Sequence, residues 1–296
     1  MKQVHILGIP MDLGQQRRGV DMGPSALRYA GLQSQIESLE IRVVDHGNLT
    51  VPNPEESVAA SGNNRLQVVA QVCDQIFNWG KQQPISEDLA LFLGGDHSIS
   101  IGSVKAAIVN DPEHTGLIWI DAHPDFNTPN TSPSGNLHGM PVAVVTGDGH
   151  PSLVELGDSV RIPAANIVQI GIRSVDPDER VRIHQSKLCI YTMREIDTRG
   201  MATIATDALA HLDHCRYLHI SLDLDSLDPS EAPGVGTPVR GGLSYREAHL
   251  LCEILSGSGK VCSIDVVENN PILDEKNQTA ELAVELIASL LGKQIL

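Results

Sequence analysis

A chain of 296 residues, 41% hydrophobic, has the length for one large domain or two small ones with a sizeable core. The 37 acidic against 21 basic residues leave a formal net charge of −16. That balance argues against nucleic acid or an anionic membrane surface as partner and suits a metal ion or a basic small molecule.

No uncharged apolar run approaches the ~20 residues of a membrane span. The stretch Met1–Pro10 is too short and polar for a signal peptide. The five cysteines (Cys73, Cys189, Cys215, Cys252, Cys262) are scattered without a C-x-x-C pair. They read as reduced thiols of a cytoplasmic protein.

Along the chain, apolar runs of strand type recur with helical patterns between them. Strands are expected at Val4–Gly8 and Ile41–Asp45, with a helix over Pro24–Leu39 between them. After a polar excursion at Pro52–Asn64 come a helix at Arg65–Trp79, a strand at Leu89–Leu93, a helix at Ile99–Val109 and a strand at Leu117–Asp121. A second excursion, Gly147–Pro163, precedes strand Ile167–Gly171, helix Asp178–Gln185 and strands Leu188–Tyr191 and Tyr217–Asp223. Ser244 with Glu247 three residues on forms a capping box opening helix Tyr245–Ser256. Strand Lys260–Asp265 and helix Ala280–Leu291 follow. Near-continuous hydrophobicity marks strands covered on both faces, and the alternation is that of an α/β protein with a mainly parallel sheet. No repeat or linker interrupts it, so a single domain over 1–296 is expected.

In such sheets, sites form beyond the carboxyl ends of the strands. The conspicuous polar residues all lie there: Gly94-Gly-Asp-His-Ser98, Asp121-Ala-His-Pro-Asp125, Arg173-Ser-Val-Asp176, Asp223-Leu-Asp225 and Glu268-Asn-Asn-Pro271. Asp121, His123 and Asp125 alternate, so on an extended backbone their side chains share one face, about 7 Å apart. Asp223 and Asp225 alternate likewise. With His97 they make four carboxylates and two imidazoles. One divalent ion would leave several carboxylates repelling one another, whereas two ions roughly 3.5–4 Å apart use all six groups. A donor set without thiolate favours a hard ion such as Mn²⁺, although Co²⁺, Fe²⁺ and Zn²⁺ also suit it.

These motifs, with Gly8-Ile-Pro-Met-Asp12 and Arg18-Gly-Val-Asp-Met-Gly-Pro24, resemble the signatures of the ureohydrolase superfamily across essentially the whole chain. Within it, the chain is most similar to the arginase family, bacterial type. The resemblance implies a three-layer sandwich around a central, mainly parallel eight-stranded sheet, and two Mn²⁺ per subunit. By motif position, His97, Asp121, Asp125 and Asp223 would hold one ion. Asp121, His123, Asp223 and Asp225 would hold the other. It further implies hydrolysis of L-arginine to L-ornithine and urea.

A guanidinium carbon is resonance-stabilised, so hydrolysis needs a preformed hydroxide, which two cations supply by acidifying a water between them. Asp125 can accept a hydrogen bond from that hydroxide, and Glu268 can pair with the guanidinium. His138 is the natural proton carrier for the departing amine. The family resemblance assigns Asn127, Ser134 and Asn136 to the substrate α-carboxylate, and Asp176 and Glu179 to its α-amino group. Thr237 is expected to close the site near Glu268. Two positions depart from the family pattern: Pro124, between two ligands, and Asn269, where an apolar residue is usual. Tyr245-Arg-Glu247 resembles a subunit-pairing segment and implies a homotrimer or a hexamer of two trimers. The rivals are an agmatinase or guanidino-acid hydrolase, an amide deacetylase of the same fold, and a catalytically silent metal-stabilised subunit.

Overall fold

The computed structural model describes residues 3–52, 63–83 and 87–294. Eight strands form one sheet: β1 (Gln3–Gly8), β2 (Arg42–Asn48), β3 (Leu89–Leu93), β4 (Thr115–Ile120), β5 (Ile167–Ile172), β6 (Cys189–Thr192), β7 (Tyr217–Asp223) and β8 (Val261–Val267). Their order is β2-β1-β3-β8-β7-β4-β5-β6, and every neighbouring pair is parallel. The expected α/β fold is present, with a sheet that is wholly rather than mainly parallel.

The helices are α1 (Gly23–Tyr29), α2 (Leu32–Glu37), α3 (Asn63–Gly80), α4 (Ser100–Ile108), α5 (Pro141–Thr146), α6 (Pro151–Val154), α7 (Pro177–Gln185), α8 (Met193–Arg199), α9 (Met201–His211), α10 (Tyr245–Gly257) and α11 (Gln278–Leu290). The period-two alternation of the strands feeds one hydrophobic cluster on one face and two on the other. Leu89, Leu91, Leu93, Ile118 and Ile120 pack toward α1, α2, α9, α10 and α11. Ala90 and Phe92 pack with α3 residues such as Val69 and Phe77, and Leu117 and Trp119 pack with Val104 and Val142.

The single helix expected over Pro24–Leu39 is two. Gly31 stands at φ 85°, a left-handed conformation that glycine adopts without steric cost, and the chain turns there between α1 and α2. No element was read between Tyr191 and Tyr217, yet α8 and α9 fill that span. Thr192 and Glu195 form a capping box for α8, and α9 buries Met201, Ile204, Ala205 and Ala208 at helical spacing. Of the Pro52–Asn64 excursion, 53–62 lie outside the described residues. The capping box at Ser244 and Glu247 opens α10 as expected. Among the described residues no helix is long and apolar enough to cross a membrane.

One cation lies in the core beside the site-bearing loops. Lys105 of α4 is fully buried, and its Nζ donates to the carbonyls of Val154, Leu156 and Val160 at 2.8, 2.8 and 3.1 Å. Three acceptors use all three ammonium protons, so the Gly147–Pro163 excursion is fastened to the helix that follows His97. Lys105→Met leaves three carbonyls buried without that donor. Urea denaturation is expected to show a stability loss of roughly 3 kcal/mol, with new protease sensitivity in the 154–160 segment. An unchanged denaturation midpoint contradicts this anchoring.

Candidate metal centre

The turn after β3 is built tightly. A Cβ on Gly95 would lie 1.8 Å from the Met11 carbonyl oxygen, so only glycine fits. Asp96, fully buried, accepts from the Gly14 amide at 2.7 Å and from the Ser98 amide and hydroxyl. Burial, with the Glu268 charge nearby, pushes its carboxyl up to about 6. This turn presents His97, whose backbone N–H donates to Glu268 Oε1 at 2.9 Å.

Around His97 three strand ends converge. Its Nδ1 stands 3.1 Å from Asp121 Oδ2, 3.2 Å from Asp125 Oδ2 and 2.9 Å from Asp223 Oδ2. His123 Nδ1 stands 3.1 Å from Asp225 Oδ2 and 3.5 Å from Asp121 Oδ1. His97, Asp121 and Asp125 therefore present ligand atoms within 4.8 Å of one another, as do Asp121, His123 and Asp225, and the two groups share Asp121.

The chemistry of this donor set fits divalent metals. Asp121, Asp125, Asp223 and Asp225 are all buried. Burial and mutual repulsion raise Asp125 and Asp223 well above the ordinary carboxylate range, and raise Asp225 too. His97 Nδ1 is buried and makes no hydrogen bond among the described residues, although it faces three carboxylates. An imidazole nitrogen aimed into an acidic cluster without a hydrogen bond has the geometry of a ligand. Asp125 and Glu268 hold left-handed backbones, φ 48° and 63°, conformations that cost about 1–3 kcal/mol each and concentrate at functional sites.

Several groups orient these side chains. Trp119 Nε1 donates to Asp121 Oδ2 at 2.9 Å, and its indole stacks on His97 with centroids 4.0 Å apart. The His123 and Asp225 amides donate to Asp121 Oδ1 and Asp223 Oδ1, both at 2.7 Å. Thr237, expected near Glu268, donates its hydroxyl to Asp225 Oδ2 at 2.8 Å.

A cavity of about 320 Å³ lies over the cluster. Of the fourteen residues singled out in the sequence, all but Asp121 and Glu268 line it. Those two are 0% and 1% exposed. Glu268 Oε1 pairs with His138 Nδ1 at 2.9 Å, and Gln15 Nε2 donates to its Oε2 at 2.8 Å. Asn127 donates to Asp176 Oδ2 at 2.9 Å and accepts from the Thr131 hydroxyl. Glu179 is buried and accepts from the Phe126 amide at 2.8 Å and the Asp176 amide at 3.3 Å, so it holds the residue after Asp125. Burial lifts its carboxyl to about 7. Ser134 and Asn136 stand at the cavity rim, the Asn136 amide donating to Ser134 Oγ at 3.2 Å.

Sequence reading missed Gln15, Asp96, Trp119 and Ser174, the last a further lining residue. Trp119 was within reach, because period two puts it on the face of Asp121. Gln15 and Asp96 meet partners far away in sequence, and no local pattern marks them. Of the two departures, Pro124 gives its carbonyl to Gln169 Nε2 at 2.6 Å. Asn269 is 1% exposed, and among the described residues neither its Oδ1 nor its Nδ2 has a hydrogen-bond partner.

Two outcomes are expected. An unpaired buried amide costs about 1–3 kcal/mol, so Asn269→Val raises the thermal midpoint by a few degrees; a lowered midpoint contradicts this reading. In the metal-free chain, burial pulls His97 and His123 down but the surrounding carboxylates outweigh it. His97 is held up at about 9, with Asp121 and Asp125 the main partners, and His123 at about 12, chiefly by Asp225 and Asp121. Both folded values are raised. Their pairing therefore stabilises the metal-free fold fully below the unfolded value near 6.5, and the His97 share is lost as pH rises through about 9. A divalent ion must displace these protons. Its affinity is expected to rise from pH 6 to 9 with net proton release, read by calorimetry in buffers of different ionisation enthalpy. Uptake without proton release contradicts it.

Against known proteins, the profile of the Arginase family matches residues 2–292. The chain is 48% identical to the arginase of Bacillus subtilis strain 168 over 306 aligned positions, covering 100% of this chain and 99% of that one. Its fold superposes on the crystal structure of arginase from Bacillus cereus with a TM-score of 0.93 at 44% identity, covering 100% of both. It superposes on Entamoeba histolytica arginase in complex with L-ornithine with a TM-score of 0.87 at 29% identity, covering 99% of this chain and 98% of that one. The family profile spans nearly the whole chain, and the cavity of carboxylates and imidazoles lies inside that span: the chain belongs to the arginase family.

Proposed function

We propose that this chain is a cytoplasmic enzyme hydrolysing L-arginine to L-ornithine and urea, with two Mn²⁺ per subunit as its metals. The observation that carries the reading is the convergence of four carboxylates and two imidazoles under one cavity, in a chain similar over its whole length to bacterial arginases. The product complex of the Entamoeba histolytica arginase supports the same substrate.

His97, Asp121, Asp125 and Asp223 would hold one ion, and Asp121, His123, Asp223 and Asp225 the other. Bound there, two divalent cations make hydroxide available near neutral pH. The Asp125 carboxylate accepts a hydrogen bond from the attacking oxygen and aims it at the guanidinium carbon. Glu268 receives the guanidinium once Gln15 yields its place on Oε2. His138, held on Glu268 through Nδ1, offers Nε2 to the departing δ-amine and gives it the proton it needs to leave. As the carbon–nitrogen bond breaks, the added oxygen gives its proton to the Asp125 carboxylate and becomes the urea carbonyl.

At the rim, Asn127, Ser134 and Asn136 take the α-carboxylate. Asp176 takes the α-amino group. Glu179, spent on two backbone amides, acts on that group through Asp176. The whole span 1–296 works as one catalytic domain. The chain assembles as a homotrimer or a hexamer of two trimers through Arg246. That side chain is 62% exposed and pairs with Glu253 of its own chain at 3.5 Å. Glu247 is committed to capping α10, so it contributes less to pairing than its motif suggests.

The test is urea release from L-arginine against agmatine and 4-guanidinobutyrate, with and without Mn²⁺. Release from L-arginine that depends on Mn²⁺ is expected. Activity only on a substrate lacking the α-carboxylate overturns the arginine reading and favours an agmatinase or guanidino-acid hydrolase. Asp125→Asn is expected to abolish nearly all turnover, and His138→Ala to cost about a hundredfold in kcat with metal still bound. Asn127→Ala should raise KM for L-arginine about tenfold. A normal KM contradicts its carboxylate role.

A further inference from the structure

A polar stripe runs through the sheet behind His97, on the face covered by α4, and its members His219, Ser221, Ser263, Asp265 and Ser103 do not line the cavity. On β7, His219, Ser221 and Asp223 share one face by period two; on β8, Ser263 and Asp265 do. The ladder sets His219 beside Ser263 and Ser221 beside Asp265, and Ser103 reaches in from α4. His219, Ser221, Asp265 and Ser103 are all 0% exposed.

The hydrogen bonds of the stripe have a fixed direction. Ser221 Oγ donates to Asp265 Oδ1 at 2.5 Å. A hydroxyl has one proton, and an ionised carboxylate can only accept. The Ser221 oxygen, 2.8 Å from His97 Nε2, is therefore left as an acceptor, and His97 must donate to it from Nε2. In the neutral ring that a metal would bind, that places the lone pair on Nδ1, the nitrogen facing Asp121, Asp125 and Asp223. Asp265 Oδ2 in turn accepts from Ser103 Oγ at 2.6 Å and pairs with His219 Nε2 at 2.9 Å, while His219 Nδ1 meets Ser263 Oγ at 2.7 Å. Burial favours the neutral acid, but the His219 ring and these donors keep the Asp265 carboxyl below its usual range.

We infer that Asp265, braced by His219 and Ser103, is a positioning residue for the metal centre: through Ser221 it fixes the His97 tautomer and strengthens Nδ1 as a ligand. Five polar side chains at positions where valine or isoleucine would pack serve this alignment. The inference rests on the two-metal reading of the centre. It concerns residues that touch neither substrate nor metal.

The experiment is calorimetric titration of Mn²⁺ into the metal-stripped full chain, with circular dichroism to establish that each variant is folded. Partners that orient a metal-bound histidine typically contribute 10–100-fold in affinity, so Asp265→Asn is expected to weaken Mn²⁺ binding about tenfold or more. Ser221→Ala severs the same link. In its background Asp265→Asn should add less than about twofold, since both act along one path. Should Asp265→Asn not fold, Asp265→Ser, smaller and still able to bond Ser103 and His219, is expected to show the same loss. Mn²⁺ affinity within about twofold of the parent in a folded Asp265 variant overturns the inference, as do effects that multiply in the double variant. A parent chain that takes up no Mn²⁺ overturns the metal-centre reading and this inference with it.

Discussion

Four carboxylates held within a few ångströms in a buried pocket repel one another, and the centre is organised around that repulsion. At an effective dielectric of about 20, two like charges 4 Å apart cost roughly 4 kcal/mol. Asp121, Asp125, Asp223 and Asp225 are too buried for water to screen them. The metal-free chain answers with protons on His97 and His123 and with raised carboxyl groups. Divalent cations answer more fully, because four negative charges match two ions of charge +2. The backbone amides of His123 and Asp225, the Trp119 indole and the Thr237 hydroxyl keep the carboxylates from turning away.

The same loop that carries three of these groups runs on to His138, and distant segments tie it down. Glu179 at the head of α7 grips the Phe126 amide, and Asp176 grips Asn127. From the other side, the Gly14 carbonyl accepts the His138 amide at 3.1 Å, while Asp96 holds the Gly14 amide. Gln15 and His138 then meet on Glu268. Arg173 fastens the remaining wall, donating to the Asp225 and Val239 carbonyls, both at 2.7 Å. The carboxylate and imidazole cluster, His138 and the cavity rim are thus parts of one braced unit, and strain at Asp125 and Glu268 is tolerable because neighbours on several strands hold both.

How much of this could be read from the chain follows from the range of each interaction. The inner strands were legible because both faces are buried and their apolar runs are nearly continuous, whereas the edge strands β2 and β6 are exposed or half-buried. The six residues at the centre were legible because acids and histidines cluster just past strand ends, although the extended backbone expected for them is not what aligns them: β4 ends at Ile120, Asp125 stands at φ 48°, and Asp225 lies in the 3-10 turn Leu224–Ser226. Helix α9 was missed because half of its buried stripe, Ala205 and Ala208, is alanine, which carries little hydrophobic signal. The break between α1 and α2 depends on one positive φ at Gly31, which hydrophobic periodicity does not encode. Gln15, Asp96 and Asp265 were beyond reach for another reason: each acts on a partner brought near only by sheet order. Glu268 and Glu179 were noticed as acids, but not as groups already committed to the chain's own donors.

The central claim is that the pocket is a two-ion site, and anomalous diffraction from crystals grown with Mn²⁺, at the manganese edge, tests it most directly. The account predicts two peaks per chain, roughly 3.5–4 Å apart, one beside His97 and Asp125 and the other beside His123 and Asp225, with Asp121 touching both. A single peak, or manganese bound elsewhere while the pocket stays empty, would contradict it.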